Sequence, residues 1–385
     1  MRFHYKKEYL NLFLLTLFND MNNDMWASNV SGLKRPIVRP GKFDKLARKN
    51  IYIHICIWSI ASFLVFLLLF PYFIILFIFS LLKCARFKRI RKFPKEIFLG
   101  FTGSLLEKRL RYANISYKNS YWLVRPFSKA IVPGKSMTVY HVASLQDLFG
   151  ALLCSFCVVP LIIRKHGLSN VIYAANSFGW FLVFFSFKKM DGINKIYFAN
   201  QKDRWAVLFD NLPVKNKVLL QHGIEDGDDF DVVKLKTITT VFAFNQREAE
   251  VLKTHLLDCN PDIFFYNHSL NLTTSYINTK SVLIIGNCFE CFDMEERIIR
   301  LLQPYEIRLV LKPHPLLDKT CYHKLGNKFK LEILNDDVYP KVDLVLSYRS
   351  TLAVEYEMLD IRVMYHDDFS LDSVLKYMNC ENSII

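Results

Sequence analysis

Short apolar runs alternate with amphipathic stretches along the C-terminal two-thirds of the chain. Brief apolar runs bounded by turn residues predict buried strands, whereas apolar positions three and four residues apart predict helices. The first series has predicted strands at 137–141, 171–174, 195–199, 217–221 and 239–244, with helices at 144–166 and 246–257. The second has strands at 281–285, 308–311, 330–334, 343–346 and 362–365, with helices at 293–303, 316–325 and 351–359. This alternation is typical of parallel sheets covered by helices on both faces.

The two series predict an α/β protein with two Rossmann-like domains. A polar stretch, Asn267 to Thr279, separates them and is typical of a domain linker. We expect one domain over residues 137–270 and a second over 271–385, facing each other across a cleft.

One apolar run is too long for a strand or a soluble helix. Residues 51–82 carry no formal charge, and a simple membrane span needs about 20 residues. Basic residues flank the run on both sides, which favours the cytoplasmic side for both ends. A hairpin turning near Pro71 would achieve this, and a single long tilted helix is the alternative. We expect residues 1–50 to be an amphipathic lead-in and linker, and residues 83–136 a basic juxtamembrane region.

Composition and charge support contact with a membrane. Hydrophobic residues make up 52% of the chain and charged residues 22%, which excludes wholesale disorder. The net charge of +14 suits either nucleic acid or an anionic membrane surface. Because the basic residues cluster around the apolar run, we expect an anionic membrane as the partner and no nucleic acid.

The nine cysteines do not predict disulfides or zinc. They are odd in number and scattered, as in a reducing cytoplasm. Cys154 and Cys157 lie in an apolar run and are expected to pack in the core. Cys288 and Cys291 follow a predicted strand, but no histidine at a suitable spacing supports a metal site. We therefore expect no metal site.

Polar side chains follow two predicted strands of the second domain, where parallel strands present ligand sites at their carboxyl ends. After strand 308–311 come Lys312 and His314, which we expect to face phosphate oxygens. After strand 343–346 come hydroxyl and backbone N–H donors and, one helical turn later, a carboxylate suited to ribose hydroxyls: Ser347, Ser350, Thr351 and Glu355. The alternative is that the hydroxyls cap the helix and that the carboxylate is an exposed helix residue.

The first domain has its own polar strand end. His222 follows the strand and precedes Gly223, so it is a candidate general base at the mouth of a cleft. The alternative is a histidine that caps the next loop. Glu225 and Asp226 begin an acidic loop whose DxD spacings leave room for a divalent cation, although a solvated loop also explains them.

These motifs together resemble the bacterial envelope-polysaccharide transferases of the GT-B fold. The group includes CDP-glycerol glycerophosphotransferases, capsule transferases and bacterial sialyl- and polysialyltransferases. The motifs that carry the resemblance are Gln221-His222-Gly223, Lys312-Pro313-His314-Pro315 and the Ser/Thr cluster with Glu355. The resemblance as a whole covers residues 137–366. The resemblance implies that the second domain binds the phosphates of a CMP- or CDP-activated donor and that the first domain supplies the base.

Two departures leave the donor and the base open. Sialyltransferases have an acidic-acidic-Gly motif where this chain has Gln221-His222-Gly223, and here Glu225-Asp226-Gly227 comes later. Asp226 is therefore an alternative base. The second motif of glycerophosphotransferases is commonly a pair of serines with an acidic partner, whereas here Arg349 precedes Ser350.

The resemblance implies a glycosyltransferase at the bacterial inner membrane, with its catalytic domains in the cytoplasm. It would use a nucleotide-activated sugar and a glycan or lipid-linked acceptor to build a capsule or an O-antigen-like polysaccharide of the lipopolysaccharide. No cofactor would be required. The alternatives are a CDP-glycerol-type polyol-phosphate transferase and a non-catalytic component of polysaccharide assembly or export.

Overall fold

The computed structural model divides into two compact units, Met1–Tyr266 (unit 1) and Asn267–Ile385 (unit 2). It describes residues 7–30, 51–90, 94–102, 104–127, 131–189, 192–224, 232–267, 270–275, 280–287, 291–314, 320–335 and 338–379.

Unit 1 is built on a seven-stranded parallel sheet in the order β3-β2-β1-β4-β5-β6-β7. Its strands are β1 (Glu96–Leu99), β2 (Tyr121–Val124), β3 (Lys135–Thr138), β4 (Lys195–Phe198), β5 (Asn216–Leu220), β6 (Thr240–Ala243) and β7 (Asp262–Phe265). Its helices are α1 (Lys7–Val30), α2 (Ile51–Arg86), α3 (Ser104–Tyr112), α4 (Leu145–His166), α5 (Ser177–Lys188), α6 (Arg204–Asp210) and α7 (Gln246–Val251). The last of these continues as a π-helical turn, Leu252–Leu256.

The sheet takes in residues that we expected to lie outside it. Strands β1 and β2 come from the predicted juxtamembrane region, residues 83–136, and β1 pairs with both β2 and β4. Each of these two strands is only four residues long. The many basic residues around them led to the prediction of a juxtamembrane region rather than of strands. The predicted strand at 171–174 is wrong. These residues belong to a 3-10 helix, Leu168–Asn176, because a short apolar run suits either structure.

The N-terminal helix α1 packs into unit 1 rather than leading up to it. Phe13 is fully buried, and its ring lies 5.3 Å from that of Trp180. Asn19 accepts a hydrogen bond from the backbone N–H of Val233 at 2.8 Å. The part of α1 from Leu10 to Asn19 therefore contributes to the core of this unit.

Helix α2 is continuous through Pro71, so the hairpin alternative is wrong. A proline removes one backbone hydrogen bond from a helix. The helix nevertheless continues, because the residues on either side of Pro71 keep their own backbone hydrogen bonds. One side of α2 packs on α4, with the Phe77 and Phe149 rings 4.9 Å apart. Among the residues that the structure describes, three segments are long and apolar enough to cross a membrane, by length and composition alone: Phe63–Arg86, Leu145–His166 and Asn170–Lys188.

Unit 2 contains a five-stranded parallel sheet in the order β11-β10-β9-β13-β14. Its strands are β9 (Ser281–Gly286), β10 (Arg308–Pro313), β11 (Leu331–Ile333), β13 (Leu344–Ser347) and β14 (Arg362–Tyr365), while β8 (Thr274–Ser275) pairs separately with β12 (Pro340–Lys341). Its helices are α8 (Phe292–Leu302), α9 (Thr320–Lys328), α10 (Thr351–Glu357) and α11 (Leu371–Met378).

Each face of this second sheet has its own apolar core. Alternate strand residues point to opposite faces: Val282 and Ile284 pack with α8, α9 and α11, whereas Leu283 and Ile285 pack with α10. The predicted α/β class, with parallel sheets covered by helices, is confirmed.

Candidate functional site

The backbone at His222 is held by hydrogen bonds just beyond the carboxyl end of β5. Its N–H donates to Oε1 of Gln201 at 2.9 Å, and the N–H of Gly223 donates to the same oxygen at 3.3 Å. The carbonyl of His222 accepts a hydrogen bond from Nη2 of Arg109 at 2.9 Å. These contacts fix the position from which the imidazole extends.

The side chain and carbonyl of Gln221 hold the end of β5 in place through four hydrogen bonds. Its Nε2 donates to Glu248 at 2.8 Å and to the carbonyl of Gly223 at 3.0 Å. Its Oε1 accepts from the N–H of Phe244 at 3.1 Å, and its carbonyl accepts from the Tyr266 hydroxyl at 2.7 Å. The buried amide thus ties β5 to the segment after β6. In the sequence, Gln221 stood out only as a polar residue at the end of an apolar strand, and we assigned it no role of its own.

Arg109, on α3, also supports His222, and nothing in the sequence indicated this role. It is 1% exposed, and its guanidinium lies 4.5 Å from the ring centroid of Phe244 and 5.3 Å from that of Tyr112. A planar guanidinium can stack on aromatic rings while it donates hydrogen bonds. Arg109 therefore supports the carbonyl of His222 from within an aromatic enclosure.

The imidazole of His222 is suited to accept a proton. Burial lowers its pKa from the usual 6.5, and the positive charges of Arg109 and Lys202 act in the same direction. A hydrogen bond with the backbone of Ala199 and the charge of Asp203 partly oppose that shift. Its Nδ1 is buried without a hydrogen-bond partner within the part of the chain that the structure describes. The ring is therefore neutral at physiological pH. Glu225 and Asp226 lie outside the described residues.

Unit 1 also contains a cavity of about 500 Å³ that the sequence gave no means of predicting. Arg125 directly follows β2 and Arg204 begins α6, so both line it from the carboxyl side of the sheet. Arg204 forms an ion pair with Asp20 at 2.7 Å. Tyr72 and Leu76 of α2 line the cavity as well. It thus combines cationic groups with the apolar helix α2.

Lys312 is placed differently from our expectation. It is buried within β10, and its Nζ donates to the carbonyl of Asn335 at 2.7 Å and lies 4.5 Å from the ring centroid of Tyr339. The strand extends beyond Leu311, so Lys312 points to the same face of the sheet as Val310 and enters the core. His314, just after the strand, is half-buried, and burial lowers its pKa.

The hydroxyl cluster after β13 caps a helix. Ser350 Oγ accepts from the N–H of Ala353 at 3.1 Å and lies 3.0 Å from Oγ of Ser347. Ser347 is fully buried and donates to the carbonyl of Tyr348 at 2.6 Å, whereas Thr351 is half-buried. The capping alternative therefore describes the contacts of Ser350.

Glu355 differs most from the expected arrangement. We expected it to reach ribose hydroxyls or to be exposed, yet it is 1% exposed. Ala353, Val354 and Tyr356 beside it are buried too, because α10 is short and almost entirely covered. The ribose contact is not available in this structure.

No protein-family model and no curated protein matches the chain. Among solved structures it is similar to the wall teichoic acid polymerase TagF soaked with CDPG, with 12% identity over 71% of this chain and 70% of that one and a TM-score of 0.35. It is also similar to MurG of Acinetobacter baumannii, with 9% identity over 74% and 90% and a TM-score of 0.34. The UDP-GlcNAc 2-epimerase of Methanocaldococcus jannaschii gives 9% over 75% and 94%, with a TM-score of 0.33. No argument about activity rests on similarities this low.

Proposed function

We propose that the protein is a membrane-associated glycosyltransferase of the GT-B type. It would transfer a sugar from a nucleotide-activated donor to a glycan or lipid-linked acceptor on the cytoplasmic side of a bacterial inner membrane. The product would be a capsule or an O-antigen-like polysaccharide. The observation that carries the proposal is His222, whose backbone is held at the carboxyl end of a parallel strand and whose partly buried ring has a lowered pKa.

In this reaction His222 is the general base. The acceptor hydroxyl oxygen forms a bond to the anomeric carbon of the donor sugar, and its proton passes to the imidazole. The bond between that carbon and the nucleotide phosphate breaks, and the nucleotide leaves with the electron pair. A partly buried histidine with a lowered pKa is unprotonated at neutral pH, as a base must be.

The cavity of unit 1 supports an anionic, lipid-linked acceptor. Arg125 and Arg204 line it together with side chains of α2. A phosphate bound there would meet the guanidinium of Arg125 and would compete with Asp20, which also lines the cavity, for that of Arg204. Arginine pairs well with phosphate oxygens because its planar donors match their geometry.

The donor would bind to unit 2 through the carboxyl ends of β10 and β13. His314, Ser350 and Thr351 are the groups that we propose to contact the nucleotide phosphates, where they would stabilise charge on the leaving group. Given its contacts, Lys312 would act by holding the segment around Asn335 and Tyr339. The proposed mechanism needs no metal at the donor phosphates.

Membrane attachment would come from α2. The helix keeps many large apolar side chains exposed, from Ile60 to Leu82, and basic residues follow at Lys83 and Arg86. This combination suits insertion beside an anionic membrane surface.

Donor screening in membrane extracts tests the proposal. Extracts with and without the protein would be incubated with CMP-, CDP- and UDP-sugars and with CDP-glycerol, and nucleotide release and glycan products measured. We expect turnover with a nucleotide sugar. Turnover with CDP-glycerol alone would favour polyol-phosphate transfer, which the Gln221-His222-Gly223 motif also suits. If no donor gave either turnover or nucleotide binding, both enzymatic functions would be contradicted. The role in polysaccharide assembly or export would then remain.

Two variants separate the candidate bases. Loss of the base should lower the rate by about 10²–10⁴ while nucleotide affinity stays near normal. We expect this of His222→Ala, and we expect near-wild-type activity from Asp226→Ala. The opposite pattern would move the assignment to Asp226.

A further inference from the structure

Three potential metal ligands meet in unit 2, at residues that the proposed reaction does not use. The ligand atoms of Cys291, Glu295 and His366 all lie within 4.8 Å of one another. Cys291 directly precedes α8, Glu295 lies in its first turn, and His366 directly follows β14. Residues far apart in the sequence thus converge beside one end of the sheet.

His366 lacks the partners that a buried histidine normally has. It is 5% exposed, and neither ring nitrogen has a hydrogen-bond partner among the described residues. Buried polar groups are nearly always paired, because leaving them unpaired costs free energy. A ligand bound to the ring would supply the missing partner.

Glu295 is already oriented by its neighbours. One carboxylate oxygen accepts from the backbone N–H of Asn287 at 2.6 Å, and the other accepts from the Tyr322 hydroxyl at 2.5 Å. Each oxygen retains a further lone pair. Hydrogen bonds of this kind to a ligand's carboxylate are the usual outer support of a metal site.

We propose that Cys291, Glu295 and His366 bind a divalent metal ion, for which Zn²⁺ is the best match. A thiolate, an imidazole and a carboxylate suit this borderline ion, whereas Mg²⁺ and Ca²⁺ prefer oxygen ligands. Zinc bonds of about 2.0–2.3 Å place tetrahedral ligand atoms roughly 3.3–3.6 Å apart, whereas the three atoms here lie within 4.8 Å of one another. Binding would therefore draw the side chains together by up to about 1.5 Å. A fourth position is left for water or another ligand.

This site lies at the same end of the sheet as the proposed donor contacts, since the rings of His366 and Tyr348 are 6.4 Å apart and Tyr348 lies between Ser347 and Ser350. Its ligands, however, belong to the other face. Ser347 lies on the α10 face of the sheet, in alternation with Leu344 and Leu346 on the other. Glu295 belongs to α8 and His366 follows Met364, both of which are on that other face. The ion would join the start of α8 to the end of β14 and so stabilise unit 2, whether or not the protein is a transferase.

The metal content of the purified full-length protein tests the proposal. After incubation with Zn²⁺ and dialysis, we expect about one Zn²⁺ per chain in the wild type and less than about a tenth of that in Cys291→Ser and His366→Ala. His323→Ala is the matched control, because His323 is an exposed histidine on α9 of the same unit, and it should retain the wild-type content. Circular dichroism would establish that each variant is folded.

Cobalt gives a readout that needs no variant. Co²⁺ bound at this site should show a thiolate-to-metal charge-transfer band and the visible bands of tetrahedral coordination, both of which Zn²⁺ should abolish. Removal of the ion with a chelator should also lower the melting temperature. A wild-type protein without retained Zn²⁺ and without the cobalt bands would overturn the proposal, as would a folded His366→Ala with wild-type zinc content.

Discussion

His222 is the residue on which the proposed reaction depends most. Its surroundings were not visible in the motif, because Arg109, Gln201 and Asp203 come from other parts of unit 1. The motif located the candidate base, and the fold determined its pKa and its orientation.

The pH dependence of the reaction should report the lowered pKa of His222. Because burial lowers this pKa below 6.5, the base stays unprotonated, and active, until the pH falls below that value. We expect kcat/KM to be level near neutrality and to decline with a midpoint below pH 6.5. Rates measured from about pH 4.5 to 8 would show this decline. A midpoint above 6.5, or the same decline in His222→Ala, would contradict the assignment.

Arg109 should act by positioning His222. Arg109→Lys keeps the charge but loses the planar stack on Phe244 and the geometry of the bond to the His222 carbonyl. We expect the free energy of unfolding to fall by about 1.5–3 kcal/mol, and kcat to fall with little change in the donor KM. Denaturant unfolding and steady-state kinetics would measure both. Arg111→Lys, exposed on the same helix, is the control and should change neither.

At the scale of elements, α2 has two faces with different roles. Phe73 is fully buried against unit 1, whereas Leu68 and Ile75 are 61% and 62% exposed. One stripe of the helix therefore belongs to the folded core, and the remainder is free to meet lipid. Removal of the whole helix would expose the core that it covers.

Substitutions on the two faces of α2 should separate stability from membrane binding. Leu68→Gln with Ile75→Gln should shift the protein from the membrane fraction toward the soluble fraction, because each exposed side chain gains about 1.5–3 kcal/mol on full burial. Phe73→Ala should instead lower the free energy of unfolding by about 3–5 kcal/mol and leave partitioning unchanged. Sedimentation and thermal unfolding read the two effects. Equal partitioning of both variants would argue against lipid contact through this face.

For the whole molecule, the two units have separate proposed tasks. In the proposed reaction, unit 2 would bind the nucleotide and unit 1 would supply the base. A nucleotide should therefore stabilise the protein without involving His222.

His314 should control the response to nucleotide. CMP, CDP or UDP at 100-fold above its dissociation constant should stabilise the protein by about 2.7 kcal/mol, measurable as a thermal shift. His314→Ala should lose that shift and about 10²–10³ of the rate. His222→Ala should keep the shift, and so should the exposed-site control His323→Ala. A normal shift and rate in His314→Ala would exclude it as a phosphate contact.

Local pattern in the sequence was sufficient for most of unit 2. The predicted strands at 281–285, 308–311 and 343–346 correspond to β9, β10 and β13 within two residues at each end, because buried parallel strands are continuous apolar runs. The same patterns predicted the α/β class. The motifs also located His222 beyond the end of its strand, since that follows from chain order.

Other features were decided by the tertiary structure, because they depend on contacts between distant residues. The sheet of unit 1 takes in β1 and β2 from a stretch whose local signal is basic, and α2 continues through Pro71. Lys312 turns into the core because its strand extends further than its apolar run. Cys291 and His366 meet because α8 and β14 are brought together by a shared core. Residue spacing along the chain carries none of this information, because burial and pairing arise only when the strands assemble into sheets and the helices cover the sheet faces.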